Sequence, residues 1–467
     1  MDRIEKDALG EVAIQSSAYY GIHSVRAKEN FEITKEKVHK QMIKAVVLIK
    51  KAAAMANCDA GFLPLDKAKA ICLACDEVLN NRFTNQFITD AIQGGGGTAI
   101  NMNVNEVIAN RANEIMGGGL GTYEFIHPND TVNFGQTSND VIPTAARIAT
   151  IQLARKFLIE LKKLQKAYLD KANEYRNVLK MGRTHLQDAA PITFGQIFDS
   201  LAATIDRDLS RLDRCLERLE YVNIGAGLVG TGLNVNEVYR QQIILRLKEY
   251  SKIDLKPAKD YVDQTRNLDS FINVSGALKT VATNLSKSAS DLRLMASGPS
   301  AGLSEIKLPF VQIGSTVSPD KNNPVIPEVV NQICFQVIGK DLTVTMAAEA
   351  GQFEYNVFTP VIFGNIFDEI DYLRRAARVF REKCIEGLEV NVEKCLNDVL
   401  SGSWVTTVLA PHIGFDVCHE LATESYKTGI SVRELVLQKG YLTEKQLNQI
   451  LDLDKITKPG MLDYNKK

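Results

Sequence analysis

The chain has 467 residues, and its 55 Lys and Arg against 56 Asp and Glu leave a formal net charge of −1, with 45% hydrophobic and 24% charged residues. These are the proportions of a soluble globular protein, and the near-zero charge argues against nucleic acid or an anionic membrane as the main partner. The length exceeds one ordinary core, so roughly two to four domains are expected unless very long helices unify the chain.

The start, Met1-Asp2-Arg3-Ile4-Glu5-Lys6-Asp7, is charged where a signal peptide would be apolar, and no apolar run reaches the roughly 18 residues of a membrane span. A cytoplasmic location is the expectation. Eight cysteines are scattered without framework spacing. The one close pair, Cys72 and Cys75, lies in a stretch that reads as helix, so the cysteines are taken as buried thiols, with neither disulfides nor a metal site.

The first break between helices is Gln93-Gly94-Gly95-Gly96-Gly97-Thr98, running on to Glu106. Its glycines let backbone approach a ligand, and Thr98 stands where a helix can begin, offering a hydroxyl and free N–H groups to an anion. A flexible linker and N-cap is the plainer reading. The second, His127 to Asp140, holds Thr137, Ser138 and Asn139, which suit an amine or carboxylate, or else cap the helix that follows.

That helix is announced by Leu153, Phe157, Leu161, Leu164 and Tyr168 at steps of four and three. Stretches 196–222 and 268–297 behave alike, the former with a stripe from Leu201 to Leu219. Such helices exceed about 40 Å and need partners along their whole length, which implies a bundle extended by other subunits. The third break, Gly182-Arg183-Thr184-His185 to Pro191, is read as the end of the first long helix, with His185 either structural or a binding group. Residues 224–233 form a Gly-punctuated break, neither strand nor dinucleotide loop.

The fourth break is Gly314-Ser315-Thr316-Val317-Ser318-Pro319-Asp320-Lys321-Asn322-Asn323-Pro324. It combines hydroxyls, a lysine and amides between Gly and Pro punctuation, a set suited to an anionic substrate. Lys321 and Asn323 would otherwise belong to an exposed turn.

Together these breaks resemble the aspartase/fumarase superfamily from about residue 3 to 465, the last of them its signature loop G-S-S-x-M-P-x-K-x-N-P. Within it, Arg3 to Asp7, Ala18 to Gly21, Thr184 to Asp188, Ala301 to Ile306 and Glu349 to Glu354 are similar to the aspartase branch more than to the fumarase branch. The resemblance implies an all-α fold of three domains, 1–140, 141–394 with the flexible loop, and 395–467. The central long-helix bundle would join a 20-helix core in a homotetramer whose sites are shared between subunits. It implies elimination of ammonia from L-aspartate, with Ser315 as base. Thr98, Thr137 and Asn139 would hold the amino group or the reacting carboxylate, and Ser138 with Thr316 would cradle developing charge. Thr184, Lys321 and Asn323 would grip the other carboxylate, and His185 would orient the substrate. No redox cofactor is implied; divalent metals modulate some relatives. Water in place of ammonia, another amino dicarboxylate, or a non-catalytic role are the alternatives. Departures from the pattern are Thr137 and Thr316, where Ser is usual, Ser318 for Met, Asp320 for Gly or Ala, and Ser300 where Arg is frequent.

Overall fold

The computed structural model describes residues 2–402 and 404–460. Among them, helices alternate with four small two-stranded sheets, an all-α fold. The helices are α1 (Ile22–Asn30), α2 (Lys40–Asp59), α3 (Leu65–Leu79), α4 (Thr98–Ile115), α5 (Ser138–Glu174), α6 (Phe194–Leu219), α7 (Glu237–Ser251), α8 (Tyr261–Arg266), α9 (Asp269–Met295), α10 (Val325–Glu349), α11 (Thr359–Phe380), α12 (Val392–Ser401), α13 (Val405–Ile413), α14 (Phe415–Thr428), α15 (Val432–Gln438) and α16 (Glu444–Ile450). The hairpins are β1 (Asp2–Asp7) with β2 (Gly10–Gln15), and β3 (Leu179–Thr184) with β4 (Gln187–Thr193). Two further pairs are only two residues long per strand.

The predicted stripes are the buried faces. Leu153, Phe157, Leu161, Leu164 and Tyr168 are all buried on α5, a helix of 37 residues. At about 1.5 Å per residue it runs roughly 55 Å. On α6, Ile205, Leu212, Leu216 and Leu219 are buried while Leu201 and Leu209 are half-buried.

The chain divides into two compact units: residues 1–160, 208–283 and 332–375 form one, and residues 161–207, 284–331 and 376–467 the other. In the first, α2 packs against α3, α4 and α7. Val46, Ile49, Val104, Val107 and Ile108 are fully buried there. In the second, Met181, Val399, Trp404, Leu409, Leu421, Leu435, Val436 and Leu447 form a core that joins the third strand to the C-terminal helices. The Trp404 indole N–H is satisfied by the Val399 carbonyl at 2.6 Å. Ser431 and Thr443 each close a capping box, with Glu434 and Gln446, so α15 and α16 begin where local chemistry dictates.

One expectation is corrected. The third break does not end a long helix: α5 stops at Glu174, and Thr184 and His185 lie at the tip of the β3–β4 hairpin. Thr184 pairs with Gln187, leaving His185 and Leu186 as a two-residue turn with φ of 53° and 62°. Positive φ at both central positions is the twist that a tight hairpin requires. Cys72 and Cys75 lie on α3, as read; of the eight free cysteines, five are buried and three half-buried.

Candidate active site

The ten candidate residues fall into two sets. Thr98, Thr137, Ser138 and Asn139 belong to the first unit, and Thr184, His185, Ser315, Thr316, Lys321 and Asn323 to the second.

In the first unit, Thr98 opens α4 after four consecutive glycines, the last three of which, Gly95, Gly96 and Gly97, have φ of 86°, 61° and 88°. A Cβ on Gly96 would meet the Tyr355 ring at 2.4 Å, so only glycine makes this turn. The helix start is less open than expected. The Thr98, Ile100 and Asn101 N–H groups are taken by Gly95 O, Gln93 Oε1 and Gly97 O, and the Thr98 hydroxyl also donates to Gly95 O.

Thr137 immediately precedes α5, and its N–H donates to Asp140 Oδ1 at 2.9 Å. The Thr137 hydroxyl reaches Gly227 O at 3.2 Å, and Asn139 Nδ2 reaches Leu228 O at 2.7 Å. The Gly-punctuated break at 224–233 is therefore the layer that holds these two side chains. Ser138 is different: its Oγ accepts from Asn101 Nδ2 at 3.3 Å, and no acceptor for its proton occurs among the described residues.

Behind the triplet lies a buried polar network. Lys50 Nζ, on α2, donates to Asn133 Oδ1 and Gln136 Oε1, both at 2.8 Å. Asn133 Oδ1 also accepts from Asn101 Nδ2 at 3.1 Å and Asn105 Nδ2 at 3.3 Å. Burial lowers the Lys50 pKa to about 7 against the pull of Asp140, and burial raises Asp140 to about 6 despite its backbone donors. Asn101, Asn133, Gln136 and Asp140 sat within the two polar breaks without being singled out. The signal for Lys50 was a lone cation on the apolar face Val46, Ile49, Lys50, Ala53 and Asn57 of a helix.

In the second unit, Ser315 Oγ accepts from the Val317 and Ser318 N–H groups at 3.2 and 3.0 Å. Two backbone donors on one hydroxyl oxygen favour its ionised form. Asn323 Nδ2 donates to Gly314 O and closes the neck of the loop, where a Cβ on Gly314 would meet Lys321 O at 2.5 Å. Thr316, Asp320 and Lys321 are exposed. Thr184 and His185 are exposed too, and the hairpin that carries them is anchored at its base. Fully buried Glu305 accepts from Arg183 at 2.5 Å and sits 3.3 Å from the Lys180 ammonium.

Among the described residues, no group of three or more His, Cys, Asp or Glu is placed to hold a metal ion, and no helix is long and apolar enough to cross a membrane.

Residues 10–339 match the family described as lyase, and residues 405–458 the family described as fumarase C C-terminus. An aspartate ammonia-lyase of a Bacillus species is 47% identical over 98% of both chains. The crystal structure of a fumarate lyase:delta crystallin from Brucella melitensis bound to cobalt superposes with a TM-score of 0.95 at 43% identity, covering 98% of this chain and 100% of that one. A class II fumarase from Schistosoma mansoni gives 0.94 at 32% identity over 98% and 99%. The chain belongs to the aspartase/fumarase superfamily of lyases.

Proposed function

We propose that this protein catalyses the reversible elimination of ammonia from L-aspartate to give fumarate. The likeness along nearly the whole chain to relatives named aspartate ammonia-lyase carries this reading. The chemical difficulty is a C–H bond beside a carboxylate that is already negative. Ser315 Oγ, as alkoxide, takes the Cβ proton, and the electron pair moves into the adjoining carboxylate as an aci-carboxylate. That pair then forms the double bond as the C–N bond breaks and ammonia leaves. The two N–H donors on Ser315 Oγ support the ionised base.

Stabilising the doubly charged carboxylate is the largest demand. Ser138, with the hydroxyl and N–H of Thr316, meets it. Thr98, Thr137 and Asn139 hold the amino group or help bind the reacting carboxylate. Thr184, Lys321 and Asn323 grip the other carboxylate, and His185 orients the substrate. In this reading three subunits of a homotetramer contribute to each site, and no redox cofactor takes part.

Purified protein incubated with L-aspartate is expected to raise the ultraviolet absorbance of fumarate, and fumarate with ammonia to lower it. Signal with L-malate alone would assign a fumarate hydratase instead, and silence with every substrate a non-catalytic member. Ser315→Ala is expected to abolish turnover while leaving substrate-analogue binding largely intact; retention of most activity would refute Ser315 as base.

A further inference from the structure

We propose that Asn101 is a positioning residue that holds the Ser138 hydroxyl as a donor toward substrate, and that Lys50 fixes Asn101 through Asn133. The inference rests on the assignment of Ser138 above, and its geometry lies wholly within the first unit.

The direction of each hydrogen bond follows from the one before it. Asn133 Nδ2 and Gln136 Nε2 donate to the backbone carbonyls of Gln136 and Val132, so both amides turn their oxygens toward Lys50 Nζ, which donates to them. With Asn133 Oδ1 turned inward, the neighbouring Asn101 must present its NH2 group, which then reaches both Asn133 Oδ1 and Ser138 Oγ. The Ser138 oxygen is thereby occupied as an acceptor, and its proton points elsewhere. The Thr137 hydroxyl proton is shared between Gly227 O and Asp140 Oδ1, and Asn139 gives one amide proton to Leu228 O, so Ser138 is the hydroxyl of the triplet whose proton has no acceptor among the described residues. A hydroxyl so held supplies a donor to developing negative charge without reorienting first.

The test is a double-mutant cycle on fumarate formation from L-aspartate. Asn101→Ala is expected to lower kcat about tenfold to a hundredfold, the range for outer-shell partners, with KM changing less. In a Ser138→Ala background the same substitution is expected to add no further loss. Asn101→Asp preserves shape but turns an acceptor toward Ser138, so the hydroxyl proton is drawn away from substrate. Its kcat is expected to be at least as low as that of Asn101→Ala. Lys50→Met is expected to add nothing in the Asn101→Ala background. Multiplicative losses in either cycle, or an Asn101→Asp enzyme milder than Asn101→Ala, would overturn the positioning role while leaving the proposed activity standing. Wild-type kcat in Ser138→Ala would overturn both this inference and the role of Ser138. Activity in Ser315→Ala would instead strike the base alone. Should Asn101→Ala not fold, Asn101→Ser, which keeps a small polar side chain, takes its place in the cycle.

Discussion

Glu369, on α11, is fully buried, and its Oε1 lies 3.2 Å from the Ser275 hydroxyl, which also reaches Asp341 Oδ1 at 2.8 Å. Burial raises its pKa to about 9, the Ser275 bond opposes the rise, and the nearby Asp341 adds to it. The folded chain therefore holds a proton that the unfolded chain releases near the ordinary glutamate value of about 4.3. Its contribution to stability is complete below that value and is lost as the pH climbs through about 9. Glu369→Gln keeps a neutral, hydrogen-bonding group of the same shape at every pH. In thermal melts the loss of Tm between pH 6 and pH 9 is expected to be smaller for the variant than for the wild type; equal losses would show that Glu369 does not titrate this way. A second residue-scale expectation concerns Asp320, which is exposed and has no ion pair among the described residues. Asp320→Gly is expected to leave KM for L-aspartate within about twofold, since a solvated charge acts weakly over distance; a clear fall in KM would place the carboxylate at the bound substrate. The types of the candidate residues were legible in the sequence because they cluster in breaks denser in polar groups than a turn needs. What each touches was not. The Asn101–Ser138 bond spans 37 positions and the Lys50–Asn133 bond 83, and no local pattern records a contact of that range.

At the scale of elements, the long helices were legible and the hairpin was not, for one physical reason. A helix stripe repeats every 3.6 residues within one segment, so α5 carries its own evidence. The strand pair 179–193 contains Gly182 and Pro191 and shows little alternation. It is tied by Glu305, more than a hundred positions away, which binds both Lys180 and Arg183 on β3. Lys180 and Glu305 are 5% and 0% exposed, so removing the carboxylate strands a buried cation. Breaking such a pair costs about 3–5 kcal/mol. Glu305→Ala is expected to destabilise the protein by that order in urea unfolding and to loosen the tip that carries Thr184 and His185. A loss under about 1 kcal/mol would mean that Lys180 and Arg183 find water or other acceptors. The turn itself is strained, because Leu186 is 71% exposed and adopts a left-handed conformation that branched apolar residues avoid. Strain kept at an exposed tip is a feature of functional segments.

At the scale of the whole molecule, α10 presents an uncovered apolar face. Phe335, Ile338, Leu342 and Met346 follow one another at steps of three and four and are 61%, 38%, 61% and 64% exposed in the single chain. Helical spacing makes them one continuous face, opposite the side that buries Val337 and Val344. A net charge of −1 gives no long-range repulsion to keep two such faces apart. In the proposed homotetramer, further copies of the same chain would cover this face. In the proposed reading several subunits contribute to each site, so activity would depend on the same assembly. Leu342→Glu sets a charge in the middle of the face without touching any candidate site residue. Light scattering is expected to show a tetramer for the wild type and smaller species for the variant, with aspartate turnover falling in step with the loss of assembly. A monomeric wild type that turns over aspartate would show that one chain completes its own site. A variant that stays tetrameric would place the subunit contact on some face other than that of α10.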